Sequence, residues 1–143
     1  MKLVVIESPL KGNFTRHRRY ALWCAYHCRT LNEAAYASHL FYPQFLDDRV
    51  PEDRAFGIAA GLEWARAAAF VSASQRNTAP SSVQRFYVDL GWSDGMRAAA
   101  RALGHVVEVR KLPPEMFEKF EAGEYPPATP GWESLLRDAG TTV

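Results

Sequence analysis

The sequence is poor in cysteine, has no long apolar run and carries almost no net charge, and each shortage closes off a class of protein. Its two cysteines, Cys24 and Cys28, stand four apart. On a helix they share a face in a geometry that does not readily bridge, because a disulfide needs closely matched Cβ positions. A disulfide scaffold is therefore excluded, and two reduced, buried thiols are expected. His27 lies beside them, but no second cluster completes the four ligands of a structural zinc site, and no metal is expected. No stretch approaches the ~18–20 apolar residues of a membrane span. The opening Met1–Glu7 turns acidic too soon for a secretory leader and reads instead as a first strand. The expectation is a cytoplasmic chain with no membrane partner.

Seventeen basic and sixteen acidic residues leave a formal charge of +1. That balance argues against a surface that tracks long nucleic acid. No phosphate loop of the Walker type, no dinucleotide glycine fingerprint, no Gly-x-Ser-x-Gly and no His-Glu-x-x-His is present. The common NTPase, hydrolase and zinc-protease readings fall with them, and no cofactor is expected.

What is present is one domain's length, 143 residues, of which 48% are hydrophobic and 13% aromatic. Leu3-Val4-Val5-Ile6 is a β-branched run suited to a strand buried on both faces. From Thr15 to Leu31, Tyr20, Trp23, Cys24, His27, Cys28 and Leu31 recur at helical spacing. A second strand is expected at Ala35–His39, then a long loop over Leu40–Asp48. Pro51, Glu52 and Asp53 read as a helix start, with Phe56, Ala59, Ala60, Glu63 and Ala67 as one stripe. Gly57 and Gly61 suit a close helix contact. Residues 74–84 read as a polar insertion. A third strand is expected at Phe86–Leu90, a third helix after Gly95, and a fourth strand at Val106–Val109. This βαβαβαβ order predicts parallel strands joined by right-handed crossovers. The expected fold is α/β, a flavodoxin-like three-layer sandwich with four or five mainly parallel strands. It occupies residues 1–112, and 113–143 form a proline-rich tail. Short helices are expected there at Pro114–Ala122 and Trp132–Ala139, docked on the domain or on a partner subunit.

In open α/β sheets ligands bind outside the carboxyl ends of the strands. The candidates are therefore Glu7, Ser8, Pro9, Gly12 and Asn13 after the first strand, His39 to Asp48 after the second, and Asp89 to Met96 after the third. Arg110 and Lys111 follow the fourth. Ser93-Asp94-Gly95 opens a helix, where a phosphate or carboxylate meets free N–H groups, or where Ser93 simply caps. Asp89 suits a base, a sugar-hydroxyl ligand, or a salt bridge. His39 suits catalysis or a supporting position. Asp47 and Asp48 suit a ligand or the helix start. Glu63 faces the crevice or pairs with an arginine.

Several of these stretches together resemble a known family. They are Ser8-Pro9-Leu10-Lys11-Gly12, the run from Ser38-His39-Leu40 to Phe45-Leu46-Asp47-Asp48, Gly57-Ile58-Ala59-Ala60-Gly61-Leu62-Glu63, and Asp89-Leu90-Gly91-Trp92-Ser93-Asp94-Gly95-Met96. They resemble an uncharacterised family, common in bacteria and their phages, of the nucleoside 2-deoxyribosyltransferase-like superfamily. The likeness spans roughly residues 3–110, and the His-Leu to Asp-Asp run is its most specific part. It implies a flavodoxin-like sheet, homodimers or larger homo-oligomers, and enzymes that cleave or transfer the N-glycosidic bond of nucleosides or nucleotides. Those enzymes use a Glu directly after the Gly-Met turn as nucleophile, a carboxylate meeting an oxocarbenium-like centre. Here that position is Arg97, and an Asp expected near Arg66–Phe70 is missing as well.

The departures leave three expectations. The first is a nucleoside, nucleotide or sugar-phosphate binding protein using Ser8, Pro9, Gly12, Asn13, Asp47, Ser93, Asp94, Gly95 and Met96. The second is an N-glycoside hydrolase in which a relocated carboxylate, Asp89 or Glu63, works with His39. The third is a protein-interaction module.

Overall fold

A computed structural model describes residues 1–74, 82–103 and 107–127. Four strands form one sheet: β1 (Lys2–Glu7), β2 (Glu33–Tyr36), β3 (Ser82–Tyr87) and β4 (Val107–Arg110). They lie in the order β2-β1-β3-β4, and every pairing is parallel. The helices are α1 (Phe14–Thr30), α2 (Ser38–Phe41), α3 (Pro51–Ser74), α4 (Asp94–Leu103) and α5 (Pro114–Glu121), with a 3-10 turn at Tyr42–Gln44. The fold is an α/β, flavodoxin-like sandwich of three layers.

Side chains of β1 alternate between two cores, as a strand covered on both faces requires. Val4 and Ile6 enter the larger core with Tyr20, Trp23, Cys24 and Cys28 of α1 and Phe120 of α5. Val5 enters the smaller core with Ala65 and Ala68 of α3. The connection from β1 runs one way along the sheet, to β2. The connection from β3 runs the other way, to β4. Outside the carboxyl ends of β1 and β3 this reversal opens the crevice where ligands bind in such folds.

Several local expectations are corrected. The second strand ends at Tyr36, so His39 sits in α2 rather than at a strand end. Leu31, expected on the buried face of α1, is exposed in its C-terminal turn. The stripe of Phe56, Ala59, Ala60, Glu63 and Ala67 on α3 is mostly outward: Phe56, Ala59, Glu63 and Ala67 are exposed, and Ala65 and Ala68 are the buried positions. The helix is apolar nearly all round, so periodicity does not mark its inner face. The third strand starts at Ser82 and ends at Tyr87, because Ser82, Gln84 and Arg85 are polar residues that are nonetheless buried. The expected insertion therefore keeps only residues 75–81, which lie outside the described residues. So do Val106, expected to open the fourth strand, and the second helix expected in the tail. The first tail helix, α5, docks on α1 with Phe120 against Tyr20 at 5.3 Å between ring centroids. Among the described residues no helix is long and apolar enough to cross a membrane.

Candidate functional site

The loop from β1 into α1 builds one wall of the site. Ser8 and Pro9 are buried where β1 ends. Gly12 has φ +103°, a conformation that L side chains rarely adopt, so the turn needs glycine there. Asn13 then caps α1, its Oδ1 accepting from the Arg16 N–H at 3.1 Å. The first turn of α1 holds no acidic residue. His17 Nδ1 donates to the Leu10 carbonyl at 3.0 Å, which ties the loop to the helix.

The short helix α2 brings His39 to this wall. Ser8 Oγ and His39 Nε2 share a hydrogen bond of 2.7 Å. Burial, with a smaller contribution from the nearby His17, pushes the imidazole down to about 4. His39 is thus neutral at physiological pH and holds the Ser8 hydroxyl in one orientation. Gly61 of α3 makes this placement possible: a Cβ there would lie 2.9 Å from Ser38 Oγ and 3.1 Å from Ser38 Cβ. Beside His39 opens a pocket of about 120 Å³, bordered by Leu10, Tyr42, Leu46, Arg54 and Ile58 among others.

The Asp47-Asp48 run shapes the rim of this pocket. Asp47 Oδ1 and Oδ2 take the Arg49 guanidinium at 2.9 and 2.8 Å, and the Asp47 N–H donates to Asp53 Oδ2 at 2.9 Å. Arg49 holds the Asp47 carboxyl below the usual carboxylate range. Asp48 pairs with Arg54 at 2.8 Å. Both carboxylates are thus committed to the loop and to the start of α3.

Across the crevice, Ser93 caps α4, its Oγ accepting from the Met96 N–H at 3.2 Å. Met96 is buried and packs inward, whereas Asp94 and Gly95 are exposed and Asp94 pairs with Arg97 at 3.4 Å. The Trp92 indole stacks on the buried Phe86 ring, with centroids 5.1 Å apart and planes 29° apart, and stays 36% exposed.

Asp89 is held elsewhere. Its Oδ2 accepts from the Tyr20 hydroxyl at 2.5 Å and from the Leu112 N–H at 3.0 Å. Glu63 is 72% exposed and pairs with Arg66. Neither borders the pocket beside His39. The structure thus joins Ser8 to His39 and keeps Asp89 and Glu63 apart from that pair.

Glu7, the last residue of β1, carries a further signal. It faces the α3 side of the sheet with Val5, level with Phe86, and Gln84 stands level with Val5. Gln84 Nε2 donates to Glu7 Oε1 at 3.0 Å. Burial raises the carboxyl to about 6, and the Gln84 hydrogen bond only partly offsets this. Its place directly after the first strand marked it in the sequence. Its burial did not show there, since a Glu at a strand end is ordinarily solvated. Gln84 was hidden inside a stretch that reads as a polar loop. Among the described residues no cluster of three or more His, Cys, Asp or Glu could hold a metal ion.

A family model described as a domain of unknown function (DUF7768) matches residues 2–110. No curated protein and no solved structure matches the chain.

Proposed function

We propose that this chain, which belongs to the DUF7768 family, binds a nucleoside or nucleotide at the carboxyl end of its sheet. The Ser8–His39 hydrogen bond is the observation that carries this reading. A neutral imidazole and an oriented hydroxyl, buried at the end of β1, suit the hydroxyls of a sugar better than a bare charge. The exposed Trp92 across the crevice offers an aromatic face for a base. The acid-free N-terminal turn of α1, behind Gly12 and Asn13 and flanked by Lys11 and Arg16, suits a phosphate. The resemblance of the Ser8–Gly12, Ser38–Asp48 and Asp89–Met96 stretches to an uncharacterised family of the nucleoside 2-deoxyribosyltransferase-like superfamily supports the same ligand class. The test is a thermal-shift and tryptophan-fluorescence screen against nucleosides and their 5′-monophosphates. A saturable shift that weakens about tenfold in Ser8→Ala is expected, on the scale of one lost hydrogen bond to a buried partner. No response to any ligand overturns the reading.

The same reading includes self-association. Phe56, Ile58 and Trp64 of α3 are each more than half exposed, and Phe41 and Phe45 extend this apolar area. Phe41, Phe45 and Phe56 each pack against the Tyr42 ring, and an exposed apolar cluster of this kind suits an interface. Light scattering is expected to give a homodimer or larger homo-oligomer that Phe56→Lys dissociates. A monomeric wild type contradicts it.

A further inference from the structure

We propose that β4 is an assembly edge. It pairs antiparallel with β4 of a second copy across a two-fold axis at Val109, joining the two four-stranded sheets into one continuous sheet. This surface is separate from the apolar area on α3. β4 ends the order β2-β1-β3-β4, and among the described residues no strand lies on its outer side. A bare edge presents N–H and C=O groups that pair readily with another strand.

The direction of those groups follows from one hydrogen bond. The Val88 N–H donates to the Arg110 carbonyl at 2.9 Å, so Arg110 turns its backbone groups toward β3. Backbone direction alternates along a strand. Glu108 therefore also faces β3, and Val107 and Val109 turn their backbone groups to the open edge. Side chains alternate between the faces as well. Val107 and Val109, level with Gln84 and Phe86, stand on the α3 side, yet they are 38% and 54% exposed. Native edges are commonly guarded by charge or proline, and on this face β4 has neither. Glu108 and Arg110 stand on the other face, Arg110 Nε meeting Glu108 Oε1 at 2.8 Å.

Charge selects both the occupant and the register. With Val109 on the axis, Val109 exchanges both backbone hydrogen bonds with the partner's Val109. Glu108 then stands opposite the partner's Arg110, and Arg110 opposite the partner's Glu108. These charged pairs fall at non-hydrogen-bonded positions, where side chains approach most closely. With Glu108 on the axis, two glutamates oppose one another at such a position, which is destabilising. With Val107 on the axis, neither Glu108 nor Arg110 meets an opposite charge. The strand is thus self-complementary in one register, as an isologous contact between two copies requires.

The experiment reads mass and register on the full-length protein. Analytical ultracentrifugation compares wild type, Phe56→Lys, Val109→Lys and the double variant. With both surfaces in use, Phe56→Lys is expected to take a larger assembly down to a dimer. Adding Val109→Lys is expected to raise the dissociation constant of that dimer at least about tenfold, because a charge on the edge opposes its own copy. Val109→Cys and Val107→Cys are then oxidised mildly and run on non-reducing gels; Cys24 and Cys28 are buried. Val109→Cys is expected to cross-link, since opposite Cα atoms about 5.5 Å apart lie within disulfide reach. Val107→Cys is expected not to, because in this register it lies well along the strand from its counterpart. The cysteine pair keeps the test readable if lysine disturbs the strand. A monomeric Phe56→Lys, a mass unmoved by Val109→Lys, or Val107→Cys cross-linking as well as Val109→Cys overturns the proposal. A monomeric wild type overturns it together with the α3 interface. A dimer that Val109→Lys dissociates and Phe56→Lys does not supports the edge and overturns the α3 interface alone.

Discussion

The Tyr20 hydroxyl donates to Asp89 Oδ2 at 2.5 Å and accepts the N–H of the same Asp89 at 3.1 Å, closing a two-way clasp between α1 and the end of β3. Asp89 Oδ2 also takes the Leu112 N–H, which brings the segment leading into α5 under the same hold. Asp89 is therefore placed as a fastener of three chain segments. Tyr20→Phe removes one hydroxyl from a buried position and leaves a carboxylate short of a donor. It is expected to lower unfolding free energy by about 2 kcal/mol in urea titrations, with nucleotide affinity changed less than threefold. A larger loss of affinity than of stability makes the clasp part of the site.

The two glycines of α3 separate packing from propensity. Gly61→Ala places a methyl group within 3.1 Å of Ser38, the neighbour of His39. Overpacking of this kind is expected to cost about 1–3 kcal/mol and to weaken ligand binding by displacing α2. At Gly57 an added Cβ has its nearest neighbour at 3.9 Å, an ordinary contact. Gly57→Ala is expected to stabilise by about 0.5–1 kcal/mol through helix propensity alone. Paired thermal melts and binding curves check both. Equal effects from the two substitutions would contradict the close contact.

Arg85 is fully buried in β3, where it takes Glu33 through both terminal nitrogens at 2.8 Å and Glu108 at 3.2 Å. Removing one partner of a buried ion pair leaves an uncompensated charge. Arg85→Met is expected to cost about 3–5 kcal/mol in denaturant titration. The Arg85 hydrogen bond holds the Glu33 carboxyl below its usual range. Its stabilising contribution is therefore complete above the unfolded value near 4.5 and disappears as pH falls through the lower folded value. Wild type and Glu33→Gln are expected to converge in stability in that acid range and to differ most at neutral pH.

Two groups at the site titrate with opposite consequences. His39 is lowered to about 4, so the unfolded chain binds its proton first. Its neutral burial is unopposed above about 6.5 and increasingly opposed as pH falls toward 4. Glu7 is raised to about 6, so its burial is unopposed below about 4.5 and costs stability as pH rises through 6, up to about 2 kcal/mol at neutrality. His39→Gln is expected to remove the acid-side loss and Glu7→Gln the neutral-side loss in pH-dependent melts. A wild-type profile unchanged by either substitution contradicts these assignments.

The parallel α/β architecture was legible because Leu3–Ile6 and the Tyr20–Cys28 stripe follow the two periods that strands and helices impose. The reading failed where burial and polarity part company. Arg85, Gln84 and Ser82 look like loop residues until an ion pair and hydrogen bonds inside the sheet account for them. The start of β3 was lost for that reason. On α3 the opposite holds: apolar residues on every side give no direction, so the stripe that periodicity picks out is not the one that is buried. Ser8 and His39 were each found by their place after a strand. The bond between them was not, because their contact depends on the Gly61–Ser38 approach that seats α2. Glu7 is marked by its place after a strand, but its burial is not legible, because charge at a strand end carries no sign of whether water reaches it.

The most direct measurement is an isothermal titration of wild type, Ser8→Ala and His39→Ala with the nucleoside or 5′-monophosphate that gives the largest thermal shift. The expected result is one saturable site per chain in wild type, weakened about tenfold or more in each variant. Absence of binding heat in wild type, or an affinity unchanged by both substitutions, would contradict a ligand site built on the Ser8–His39 pair.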